Sequence, residues 1–83
     1  PEKIKSAGEM NATLQGAYFM LAARSVGLDC GPMGGFNSQT LDEDFFPDGK
    51  TKSIFICALG QGDVSKIHPR GPRLSFNEAC EIV

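Results

Sequence analysis

The six consecutive residues Ile54-Phe55-Ile56-Cys57-Ala58-Leu59 are apolar without alternation, and this run constrains the fold more than any other feature. A strand that shows water one face alternates; one that does not must be covered on both faces and flanked on both edges. The pattern therefore predicts an interior strand from Lys52 to Leu59, with a layer above and a layer below it.

Ser6-Ala7-Gly8-Glu9 has the S-x-x-E form of a capping box and predicts a helix from about Ala7 to Val26. Met10, Leu14, Ala17, Tyr18, Leu21 and Ala22 recur at helical spacing, while Phe19, Met20 and Val26 widen the stripe beyond a half-buried face. Tyr18 and Met20 are expected in the core, and Gly27 is placed to end the helix in a left-handed conformation. Such a helix spans roughly 30 Å, about the diameter of a compact chain of this length. The remaining inventory is small: a second strand over Leu28 to Met33, a short acidic helix capped by Asn37 or Ser38 and running through Phe45, a Pro47-Asp48-Gly49 turn, and a last helix opened by the capping box Ser75-Phe76-Asn77-Glu78 and running towards Val83. In 83 residues this is too little to cover an oversized helix and a doubly buried strand. A partner subunit or further polypeptide is expected to supply the rest, and a start at Pro1 rather than methionine reads as a processed chain or a piece of a longer one.

A formal charge of -2 gives no reason to expect a nucleic acid or an anionic membrane as partner. The distribution says more. Asp42, Glu43, Asp44 and Asp48 cluster mid-chain, whereas Lys66, Arg70 and Arg73 are the only formal charges between Val64 and Asn77, where they could meet an anion. Three cysteines, Cys30, Cys57 and Cys80, show no C-x-x-C spacing, which favours a reducing, cytoplasmic setting. The apolar runs are too short to cross a bilayer and no secretory segment opens the chain.

Four glycines and a proline fall within Gly27-Leu28-Asp29-Cys30-Gly31-Pro32-Met33-Gly34-Gly35-Phe36. Without side chains in the way, a backbone of this kind can approach a flat ligand closely. A tight turn is the plainer reading of Gly34 and Gly35, as solvated surface charge is of Arg70 and Arg73. Gly60-Gln61-Gly62 lacks the third glycine of a dinucleotide fingerprint. His68, with Cys30 or Asp29, makes no zinc spacing, and Asp29 is better suited to ordering the loop than to moving protons. No Ser/His/Asp set or carboxylate pair is evident, so any chemistry would belong to a cofactor.

The order N-x-x-x-Q-x-A-Y-x-x-L-A-A-R-x-x-G-L-D from Asn11, G-P-M-G-G-F, a buried strand ending G-x-G-D, and P-R-L-S-F-x-E-A resembles the carboxyl-terminal half of the flavin-dependent nitroreductase family, and looks closest to its malonic semialdehyde reductase (3-hydroxypropanoate dehydrogenase) branch. The resemblance implies an α+β fold with a mixed sheet flanked by helices, in which residues 1–83 form the carboxyl-terminal part of one domain of an obligate homodimer. It implies FMN as cofactor and NAD(P)H as co-substrate, with a small aldehyde such as malonic semialdehyde as acceptor, or alternatively a nitro compound or quinone. Pro32, Met33, Gly34 and Gly35 would lie against the isoalloxazine, with the amides of Gly34 and Gly35 meeting N5 and O4. Arg73, with Arg70 as a second, would pair with the phosphate. Many members carry an acidic residue at the position of Gly34 and a lysine at that of Gly71. A different class stands beside this reading: a non-catalytic flavin-binding or dimer-forming module.

Overall fold

The computed structural model describes residues 1–83, and its first two elements meet at a glycine. Helix α1 spans Glu2–Ser25, followed by strand β1 over Asp29–Met33, helix α2 over Ser38–Phe45, strand β2 over Ile56–Gly60, a 3-10 turn over Val64–Lys66 and helix α3 over Phe76–Ala79. The helix starts five residues before the expected Ala7. Glu2-Lys3-Ile4-Lys5 are good helix formers, with an acid at the amino end, so nothing upstream of Ser6 halts the helix. Pro1 caps it without a side-chain bond, Lys5 N–H donates to the Pro1 carbonyl at 2.9 Å, and Ser6 and Glu9 lie inside the helix rather than at its cap.

The carboxyl end is the stop that Gly27 predicts. With φ of 87° at Gly27, the Leu28 amide reaches back to the Ala23 carbonyl at 3.0 Å and the Gly27 amide to Arg24 at 3.1 Å. These are the two bonds of a Schellman motif, and they turn the chain directly into β1.

β1 and β2 pair antiparallel, from Asp29 opposite Gly60 to Met33 opposite Ile56, as a two-stranded sheet. The expected strand from Lys52 is shorter at its start because side chains claim the backbone before it. Asp48 accepts from the Lys50 amide and Asp42 from the Ser53 amide, both at 3.0 Å. β2 has one neighbour within this chain and its residues are half-buried or exposed, so these 83 residues do not cover the apolar run on both faces.

One face of the sheet leans on α1. The Cys30 thiol points to the Met20 carbonyl at 3.8 Å, and the Phe55 ring lies over Gly16, where a methyl group would come within 2.5 Å of Cζ. Asn37 caps α2, its Oδ1 accepting from the Thr40 amide at 3.1 Å, and Gly49 at φ 73° makes the turn after it. Ser75 caps α3, receiving the Glu78 amide and donating to the Glu78 carboxylate at 3.0 Å. That last helix is one turn long, and Cys80, Ile82 and Val83 lie beyond it instead of within it. Only Ala23 and Asp42 are buried, and Tyr18, expected in the core, is 73% exposed.

Candidate functional site

Two stretches carry the residues singled out from the sequence. Pro32 and Met33 are the last residues of β1, and Gly34 and Gly35 follow at the end of the strand pair. Neither glycine amide is used in a hydrogen bond of the chain, and a methyl group built on either would meet nothing within 4 Å. Neither has positive φ. Neither glycine is demanded by the backbone conformation, and both combine an unused amide with open space where a side chain would stand.

Arg70 and Arg73 lie on the irregular segment between the 3-10 turn and α3. The Arg73 guanidinium donates to the carbonyls of Gly71 and Pro72 at 3.1 and 3.2 Å, and the one ion pair of the chain involves neither arginine. Both charges are available to an anion. No hydrogen bond links these arginines to the glycine segment, and the two main hollows of the chain are lined by neither. One, of about 400 Å³, lies beneath α2 between Ser38 and Lys52; the other, of about 360 Å³, lies at the opposite end of the hairpin, lined by Gly31, Ala58 and Gly62 among others.

Between the two stretches sits a junction that the sequence disclosed only in part. Asp29 opens β1 and orders the loop, as expected, but through a partner far along the chain: its Oδ2 accepts from the Gly62 amide at 2.7 Å. Its Oδ1 is ion-paired with Arg24, whose Nη1 also donates to the Leu28 carbonyl at 3.2 Å. Gln61 Nε2 donates to the Gly27 carbonyl at 3.1 Å. Gly60-Gln61-Gly62, unconvincing as a dinucleotide motif, thus fastens the end of β2 to the end of α1. The Arg24–Asp29 pair is open to water and contributes about 0–1 kcal/mol; the Gly62 bond fixes position.

Cys30 faces Cys57 diagonally across the strands on the face towards α1. Partial burial raises the Cys30 thiol pKa, and the neighbouring Cys57 sulfur adds to the rise. The thiol is held protonated and unreactive near neutral pH. No three His, Cys, Asp or Glu side chains converge as a metal site, and no helix is long and apolar enough to cross a membrane.

The residues fit a flavin in part. Unused amides beside open space suit the N5–O4 edge of an isoalloxazine, and two arginines free of ion pairs suit a phosphate.

No family model and no solved structure matches the chain. Curated proteins do. Over 81 residues the chain is 57% identical to a protein of Ralstonia nicotianae named "putative NADH dehydrogenase/NAD(P)H nitroreductase", covering 98% of the chain and 42% of that protein. Proteins of the same name from Rhodopseudomonas palustris and Leptothrix cholodnii match all of it at 53% and 42% identity, again over 42% of their own length. The chain thus spans well under half the length of these relatives.

Proposed function

We propose that this chain supplies part of the cofactor site of an FMN-dependent NAD(P)H oxidoreductase, working as a homodimer in the cytoplasm. The observation that carries the reading is the pair of unused amides at Gly34 and Gly35, set in open space at the end of β1. Bound FMN would supply hydride transfer between NAD(P)H and an acceptor. Pro32 and Met33 would bring the backbone against the ring, and Gly34 and Gly35 would donate to its N5–O4 edge. Arg73, assisted by Arg70, would hold the phosphate bidentately. Fixed backbone donors cost no reorganisation and leave the opposite ring face free for the nicotinamide and then the acceptor.

For the acceptor, the names of the relatives favour a nitro compound, while the sequence resemblance favours a small aldehyde such as malonic semialdehyde. The complete protein, purified without added flavin, is expected to be yellow and to oxidise NADPH. Comparing turnover with malonic semialdehyde, a nitroaromatic and a quinone then decides the acceptor. A flavin-loaded preparation that leaves NADH and NADPH untouched would instead mark a binding module.

A further inference from the structure

We propose that Asp29 is a positioning residue that sets the span between the two grips on the flavin, and so determines how strongly the site prefers FMN to flavins lacking a phosphate. This rests on the flavin reading above. One oxygen of Asp29 holds the Gly62 amide at 2.7 Å, while Asp29 itself opens the strand that delivers Gly34 and Gly35. The site is tight on the side of the carboxylate, since a methyl group built on Gly62 would lie 3.2 Å from the Asp29 carboxylate oxygen. Between Gly62 and Ile67 the chain makes one 3-10 turn capped by Asp63, which accepts from the Ser65 amide at 3.0 Å. Pro69 and Pro72 then restrict the path on which Arg70 and Arg73 travel. The arginines are thereby tied along the chain, through the capped turn and Gly62, to Asp29 and to the start of β1. A ligand gripped at both ends gains from the second grip only when the spacing of the two is set beforehand.

Asp29 is suited to removal without loss of the fold, since its side chain is 43% exposed and it is not part of the buried pair Ala23 and Asp42. The test compares the affinities of the complete apoprotein for FMN and riboflavin by fluorescence titration. Riboflavin has the ring and lacks the phosphate, so the ratio of the two isolates the second grip. In Asp29→Ala the preference for FMN is expected to fall about tenfold, the effect of one charge-assisted hydrogen bond, with riboflavin affinity little changed. Asp29→Asn keeps an acceptor for the Gly62 amide and should retain the preference. A ratio in Asp29→Ala equal to the parent's, with both affinities unchanged or lowered together, overturns the proposal and assigns Asp29 a structural role. If Asp29→Ala does not fold, Gly62→Ala, whose methyl group crowds the carboxylate, carries the same comparison with an expected loss of about threefold. A parent that binds neither flavin, or both equally, refutes the flavin or phosphate reading itself, and the proposal falls with it.

Discussion

Arg73 has no acidic partner within the chain. Its guanidinium satisfies itself on the carbonyls of Gly71 and Pro72, bonds that a phosphate can displace because charge-assisted bonds are about twice as strong as neutral ones. Arg73→Ala in the complete protein should weaken FMN retention about tenfold or more, measured as flavin released on dialysis, and retention equal to the parent's would remove Arg73 from the site. Cys30 makes the opposite kind of statement. With its pKa raised, the folded state binds a proton that the unfolded chain has lost above about pH 8.5. Cys30 therefore contributes stability that is present at neutral pH and declines as pH rises through the alkaline range. Its alkylation by iodoacetamide, followed by mass, should be slow at pH 7 and still accelerating at pH 9; a plateau below pH 8 contradicts the assignment.

Among the elements, α1 and the segment leading into β2 meet closely at Gly16. At Gly16 a methyl group would sit 2.5 Å and 2.7 Å from two atoms of the Phe55 ring, so the ring or the helix has to move. Gly16→Ala should destabilise the complete protein by about 1–3 kcal/mol through overpacking, although alanine is the better helix former. A urea midpoint equal to or above the parent's would count against this packing. The element boundaries show which signals were legible. Gly27 and Asn37 act through bonds to residues a few positions away, and both ends were readable. Ser6 carried a valid capping pattern that went unused, because a pattern can start a helix only where the chain before it is not already helical. Lys52 and Ser53 look like strand by composition, but Asp42, remote in sequence, takes the Ser53 amide. The Asp29–Gly62 bond was hidden for the same reason: a side chain's spacing does not name a partner 33 residues away.

Taken whole, the molecule exposes far more than its mass warrants. A compact chain of 8.9 kDa should expose roughly 4,800 Å², against 7507 Å² here. Its radius of gyration is 16.5 Å, where about 12 Å is usual for this length. The excess of about 2,700 Å² is more than three times what one partner buries in an ordinary association. Leu14, Tyr18, Phe19 and Leu21 on α1, and Ile54 and Leu59 around β2, are among the large side chains left in water. These 83 residues expressed alone should bind a hydrophobic dye and sediment as aggregates or larger assemblies; a dispersed, dye-silent monomer would refute the shortage argued from the apolar run. That shortage was legible because it is a sum over composition, whereas a meeting of Gly34, Gly35, Arg70 and Arg73 at one ligand was not, since no contact within the chain brings the two stretches together. The strand pairing also fixes an order of events. Asp29 meets Gly60 and Met33 meets Ile56, so each cross-strand bond must close a loop of more than twenty residues, a slow entropic step, while α1 needs only neighbours to coil. During synthesis the long helix therefore precedes the sheet, and the part of it that meets Cys30 and Phe55 waits bare until the ribosome has delivered Gly60.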